Sequence, residues 1–245
     1  MVVFFGISIL LSHWVIRPVA TAWDQQRQFV SDASHELKTP LAVIMANAEL
    51  MQGEEASEED RKTYSGNILG MTYQMRSLVE NMLEMARVDN GTVKMDFAAV
   101  DFSQFVSDAV LSFQLLYEEK GMGLRCAAAD GIQIQGSEQH LYQVMDVLMD
   151  NALKYSTPGG MVRVDLTSNT RTCTLSVASP GEPISGEDLK KIFKRFYRAD
   201  KARAMDGSYG LGLSIAESIV EAHKGRIWAE SANGYNTFFV QFPVK

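Results

Sequence analysis

The sequence predicts an α + α/β chain: an N-terminal membrane helix, a helical hairpin that pairs into a dimeric four-helix bundle, and a C-terminal α/β sandwich. Three observations predict it. Met1 to Ile16 is apolar except for Ser8, Ser12 and His13. Two long stretches with apolar residues at spacings of three and four then follow, between about Ala22 and Asn90. After about Val100, short strand patterns alternate with helical ones. The expected divisions are 1–21, 22–91 and 97–245.

The first 16 residues span roughly 24 Å as a helix, at about 1.5 Å per residue, against a hydrocarbon core of roughly 30 Å. Arg17 follows at once and its stem can reach the headgroups. A signal peptide carries its positive charge before the apolar run, and here nothing basic precedes it. The run therefore reads as a membrane helix, with Arg17 and everything after it cytoplasmic. A short helix without an N-terminal flank leads to the expectation of further sequence upstream.

From about Ala22 to Met51 there is no glycine, and the only proline is Pro40. Val30, Ala33, Leu37, Leu41, Ile44 and Ala48 fall at helical spacing on one face. His35 lies about 160° around the helix from Leu37, so it points away from that seam. Thr39, four residues on, shares its face. Pro40 lacks the amide that would bond the Glu36 carbonyl, so a bend is expected just past His35. Gly53 breaks the helix, and Ser57 with Asp60 caps a second one. Its seam is Ile68, Met71, Met75, Leu78, Met82 and Met85, and Asn90-Gly91 ends it. Two such helices cannot bury their seams alone, and a dimer that completes a four-helix bundle is the economical solution.

Beyond Val100 the expected elements are a helix Ser103 to Glu119, a strand Ile132 to Gln135 and a helix Ser137 to Tyr155. Thr157-Pro158-Gly159-Gly160 marks a turn. Met161 to Thr167 and Thr172 to Ala178 alternate as strands. Gly186 to Phe196 and Gly212 to His223 read as helices, and Arg226 to Ala229 and Thr237 to Phe242 as closing strands. The 245 residues suffice for this core, and a net charge of -7 argues against general nucleic-acid binding. Cys126 and Cys173 are too few for a disulfide framework and lack metal-ligand spacing.

Four local features carry chemistry. Ser31 to Pro40 sets His35 beside Glu36 on a polar helix face, an arrangement suited to a nucleophile if a phosphate donor exists elsewhere. Asn151, Lys154 and Tyr155 lie within one helical turn, where an amide oxygen, an ammonium and a ring can serve a metal ion, a phosphate and a purine face. Phe193 to Arg203 carries five basic residues among aromatics and resembles a phosphate-clamping lid. Gly207-Ser208-Tyr209-Gly210-Leu211-Gly212-Leu213 leads into a helix whose free amides suit an anion.

In order, Ser34 to Pro40, Asp150 to Ser156, Phe193 to Arg198 and Gly210 to Leu213 resemble the boxes of bacterial two-component sensor histidine kinases, over roughly residues 20–245. The resemblance implies a dimerisation and phosphoacceptor domain followed by a Bergerat-type ATP-binding sandwich of the gyrase and Hsp90 kind. It implies His35 as phosphoacceptor, Glu36 as the carboxylate that polarises the imidazole, and Thr39 as the residue that orients water in the reverse, phosphatase reaction. It implies Asn151 as the Mg2+ ligand, Lys154 as a phosphate contact, Tyr155 as an adenine neighbour and Arg198 as the arginine facing the phosphates. Gly210, Leu211 and Gly212 correspond to the junction of lid and helix. The implied cofactors are ATP and Mg2+. The implied partners are a second copy of the chain and the receiver domain of a separate response regulator, at the bacterial cell membrane.

The first glycine box departs from the family pattern. Its usual Asp-x-Gly-x-Gly is here Ser179-Pro180-Gly181-Glu182-Pro183, so that Ser179 replaces the carboxylate that accepts from the adenine amino group. A neutral acceptor is weaker than an ionised one. Val147 stands where many relatives place a second asparagine. These departures motivate an alternative: a weakly active or inactive dimeric scaffold, still able to dephosphorylate a response regulator.

Overall fold

The computed structural model describes residues 4, 17–53, 56–89, 95–199 and 209–244. The chain divides into two compact units, Met1–Val79 and Glu80–Lys245. The apolar run expected to cross a membrane lies almost wholly outside the described residues, and among those described no helix is long and apolar enough to do so. Asn90-Gly91, Lys201 to Arg203 and Gly207-Ser208 also lie outside them.

The first unit is built on two long helices, α1 (Arg17–Gln52) and the greater part of α2 (Glu58–Asp89). α1 runs through Pro40, which is buried. Gly53 ends it, its amide bonding the Leu50 carbonyl at 3.2 Å. The expected cap of α2 is present as a reciprocal box. The Asp60 amide donates to Ser57 Oγ at 3.1 Å, and Asp60 Oδ2 accepts from the Ser57 amide at 3.1 Å and from its hydroxyl at 2.6 Å. These bonds from Ser57 hold the Asp60 carboxyl below its ordinary range. Asn67 Nδ2 donates to Asn47 Oδ1 at 3.0 Å and ties the two helices side by side.

All six residues of the expected α2 seam are buried or half-buried. The α1 seam needs a correction. Ala33, Leu37, Pro40, Ile44 and Ala48 are buried or half-buried, but Val30 and Leu41 are exposed. Leu41 sits about 60° around the helix from Ile44, at the edge of the stripe and not at its centre. Leu41, Met45 and Leu50 on α1, with Leu69, Tyr73 and Leu83 on α2, remain exposed.

The second unit is a sandwich. Its strands are β1 (Ala98–Asp101), β2 (Gly123–Ala128), β3 (Gln133–Gly136), β4 (Met161–Ser168), β5 (Thr172–Pro180), β6 (Arg226–Ala232) and β7 (Tyr235–Pro243). β2, β4, β5, β7 and β6 form one sheet in that order, with β2 parallel to β4 and every other pair antiparallel. β1 and β3 pair separately. Helices α3 (Phe102–Glu119), α4 (Glu138–Tyr155) and α6 (Gly212–Ala222) supply the other layer, and α5 (Gly186–Leu189) is one short turn.

Alternation explains the layering. Val162, Val164 and Leu166 of β4, Cys173, Leu175 and Val177 of β5, and Phe238, Val240 and Phe242 of β7 are buried, at every second position. They meet Phe102, Tyr117, Leu148, Met149 and Ile219 of the helix layer in one core. The expected helix Gly186 to Phe196 is a correction: only α5 is helical, and the chain then proceeds in turns. Phe196 takes a left-handed φ of 57°, which a continuing helix of L-residues cannot accommodate. The Phe193 ring meanwhile packs edge-on against buried Phe238, with centroids 6.5 Å apart. Strands β1 and β2 were not foreseen. β2 is an edge strand whose burial does not alternate, so it carries no period-two signal.

Candidate functional site

The chemistry-bearing residues fall in two places, one in each unit. On α1, His35 is exposed, as are Ser31, Ser34, Lys38 and Thr39, whereas Ala33 and Pro40 on the other side are buried. The imidazole therefore faces solvent, as the seam predicts. Glu36 is half-buried, and among the described residues no hydrogen bond joins it to His35. Neighbours one residue apart point about 100° away from each other on a helix. Ser34 Oγ is turned back onto the Val30 carbonyl at 2.7 Å and leaves the ring clear.

In the second unit the remaining residues gather around the C-terminal half of α4. Asn151 is half-buried, with no hydrogen bond from its side chain to any described residue. Lys154 Nζ lies 2.6 Å from Asp150 Oδ2 in an exposed pair one turn apart. Tyr155 ends the helix and is partly exposed. α4 is held from beneath by Tyr117 of α3, whose hydroxyl donates to the Met149 carbonyl at 2.8 Å. Burial, and then the Asp150 carboxylate, push the Tyr117 phenol well above its ordinary range, so it stays a donor. Burial, and then Asp150, also raise the Asp146 carboxyl.

Two other segments close on α4. The end of β5 is one: the Thr157 amide bonds the Pro180 carbonyl at 2.8 Å. A Cβ on Gly181 would stand 2.7 Å from the Tyr155 carbonyl oxygen, so only glycine permits this approach. The start of α6 is the second. A Cβ on Gly212 would lie 3.3 Å from the Val147 side chain, which gives Val147 a packing role in the helix contact. Leu211 is buried just before α6, and its carbonyl accepts from Ser214 Oγ at 2.8 Å. Gly210 has a φ of 68°, and a Cβ there would meet the Tyr197 carbonyl at 2.6 Å. The glycine turn thus leans on the backbone of the aromatic-basic segment. Tyr197 anchors that segment by donating to Asp188 Oδ1 at 2.5 Å, and Arg198 beside it is half-buried. Ser185 first and Tyr197 second hold the Asp188 carboxyl below its usual range.

Sequence reasoning singled out Ser179 but missed its two neighbours in the sheet. Ser179, Asn236 and Ser231 are direct cross-strand neighbours on β5, β7 and β6, on the sheet face that packs against the helices. Asn236 Nδ2 donates to the Glu182 carbonyl at 2.9 Å, and its Oδ1 accepts from Ser231 Oγ at 2.7 Å. Ser231 Oγ in turn accepts from the Ile184 amide at 3.0 Å. Asn236 and Ser231 therefore hold the backbone of the loop after Gly181. A polar residue at an inward position of β7, among Phe238, Val240 and Phe242, was the available signal.

A family described as His Kinase A (phospho-acceptor) domain matches residues 25–91. A second, described as Histidine kinase-, DNA gyrase B-, and HSP90-like ATPase, matches residues 136–245. The chain belongs to the two-component sensor histidine kinases. Among curated relatives, it is 34% identical over 239 residues to the sensor protein DltS of Streptococcus agalactiae, covering 98% of this chain and 60% of that protein. It is 32% identical over 217 residues to the sensor histidine kinase WalK of Bacillus subtilis, covering 87% of this chain and 36% of WalK. The chain therefore spans about 60% or less of the length of these kinases. The fold is shared with histidine kinase ThkA, solved in complex with response regulator protein TrrA, at a TM-score of 0.74 and 20% identity over 96% of this chain and 65% of that one. It is also shared with the Acinetobacter baumannii histidine kinase AdeS, at a TM-score of 0.67 and 21% identity over 86% of this chain and 98% of that one.

Proposed function

We propose that this chain is the signalling part of a sensor histidine kinase that autophosphorylates His35 from ATP and passes the phosphoryl group to an aspartate of a separate response regulator. The observation that carries the reading is the pairing, in one chain, of a solvent-facing histidine on α1 with the glycine-bounded site around Asn151 on α4. The neutral imidazole attacks the γ-phosphorus, the bond to the bridging oxygen breaks, and ADP leaves. The imidazole proton passes to a base, the role assigned to Glu36. Catalysis is mainly positioning and charge neutralisation.

Asn151 is the proposed metal ligand. A single amide oxygen suits magnesium, which keeps several waters and uses few protein oxygens beside the substrate phosphates. Bound magnesium supplies charge neutralisation at the β- and γ-phosphate oxygens. Lys154 exchanges its Asp150 partner for a phosphate, Tyr155 and Ser179 flank the base with the Gly181 backbone, and Arg198 faces the phosphates. Gly210, Leu211 and Gly212 set the turn that presents the α6 amides. Thr39, on the same face as His35, orients water when the regulator is dephosphorylated.

The working unit is a homodimer through the hairpin, with domains at 22–91 and 97–245. Residues 1–21 anchor it to the bacterial cell membrane, with the catalytic part cytoplasmic. The exposed Leu41, Leu50, Leu69 and Leu83 support the dimer, and the apolar run Met1 to Ile16 supports the anchor. ThkA, solved in complex with a response regulator, supports the choice of partner.

Incubation with γ-labelled ATP and magnesium tests the reading. The expected product is an acid-labile, alkali-stable label that is lost in His35→Ala. Label that survives this substitution, or folded protein that takes up none, sinks it.

A further inference from the structure

Ser179 is 4% exposed, yet its hydroxyl bonds no described residue. Its cross-strand neighbour Asn236 is bonded at both ends of its amide, Nδ2 to the Glu182 carbonyl and Oδ1 from Ser231. Ser231 is used on the Ile184 amide. Of the three polar residues in this inward row, two are committed to the loop that follows Gly181, and Ser179 alone keeps its hydrogen-bonding capacity. It does so beside the point where Gly181 touches the last turn of α4. A hydroxyl so placed is available to a ligand group that reaches it.

A hydroxyl rotates and can accept or donate, whereas an ionised carboxylate only accepts. At the 6-position adenine presents an amino donor and guanine a carbonyl acceptor. A carboxylate therefore rejects guanine by opposing acceptor to acceptor, and a hydroxyl does not. We propose that Ser179 makes the base seat tolerant at the purine 6-position, so that the chain takes guanosine as well as adenosine triphosphate as phosphoryl donor. The inference rests on the nucleotide-site reading above. The step is the same with either nucleotide: the γ-phosphorus bonds to the His35 nitrogen and the nucleoside diphosphate departs.

The test compares γ-labelled ATP and GTP as donors to His35, with the full chain and magnesium. The wild type is expected to use the two with kcat/KM values within about tenfold of each other, and Ser179→Asp to favour ATP by at least about tenfold more. Each ratio is taken on one preparation, so a fall in the folded fraction cancels. Ser179→Ala, which adds no charge, is expected to weaken both donors together. A wild-type preference for ATP above about a hundredfold, or a ratio that Ser179→Asp leaves unchanged, overturns the inference. So does a strong ATP preference retained by Ser179→Ala. Label from ATP alone sinks only this inference, whereas label from neither nucleotide sinks the kinase reading with it.

Discussion

Tyr117 shows how much one buried side chain contributes to a site it does not line. Its hydroxyl reaches from α3 to the Met149 carbonyl, two residues before Asn151. The phenol is fully buried, and burial holds it above its ordinary range, so it stays a donor near neutral pH. Tyr117→Phe is expected to cost about 1 kcal/mol in urea unfolding. Nucleotide affinity is expected to fall only slightly, because the ring still packs and Asn151 stays on its helix. A stability unchanged by the substitution would show that water replaces the bond. His35 was legible from the sequence because its surroundings are local, a polar face set by helical period. Asn236 was not, since its partners Ser231 and Glu182 come to it through strand pairing and a loop.

At the scale of elements, His223 joins two helices that both border the nucleotide site. Lying just past α6, it donates from Nδ1 to the Ile219 carbonyl at 2.8 Å and accepts at Nε2 from the Ser137 amide at 3.0 Å, just before α4. Phe97 and Phe242 pack on its ring, and His140 acts on it electrostatically. Burial lowers its pKa most, the Ile219 carbonyl opposes this by a smaller amount, and His140 lowers it further by less again. His223 therefore takes up its proton at lower pH in the folded chain than in the unfolded one, which does so below about pH 6.5. The unfolded state then binds more protons, so stability is complete above that range and is lost as pH falls through it. The urea midpoint is expected to drop between about pH 7.5 and about pH 5.5, and less steeply in His223→Gln. Equal slopes in the two proteins would assign the effect elsewhere. The long helices and the alternating strands were readable because period reports burial on one face. α5 was overextended because the left-handed Phe196 and the packing of Phe193 on Phe238 are set by tertiary contacts.

At the scale of the whole molecule, the exposed apolar stripe of the hairpin calls for a second copy. Leu41 is 48% and Leu69 54% exposed, beyond the seam that α1 and α2 bury between them. Covering a leucine contributes roughly 1.5–3 kcal/mol. The double substitution Leu41→Asp with Leu69→Asp is expected to weaken self-association by more than about tenfold in sedimentation equilibrium, and to slow His35 labelling at low protein concentration. A monomer already present in the wild type, or a dimer untouched by the pair, would place the interface elsewhere.

The sequence by itself determined the two long helices, the alternating strands β4 and β5, the outward face of His35, the cap of α2 and the four boxes that point to the family. These depend on spacing along the chain, which period and residue chemistry encode directly. Only the tertiary structure decided that Val30 and Leu41 leave the seam, that β2 joins β4 as an edge, and that Asn236 and Ser231 hold the loop after Gly181. Those outcomes depend on which distant strands and helices meet. The altered first glycine box is the point where both were needed. The sequence placed Ser179 there, and the pairing of β7 with β5 on one side and β6 on the other left its hydroxyl as the group of that row still without a partner among the described residues.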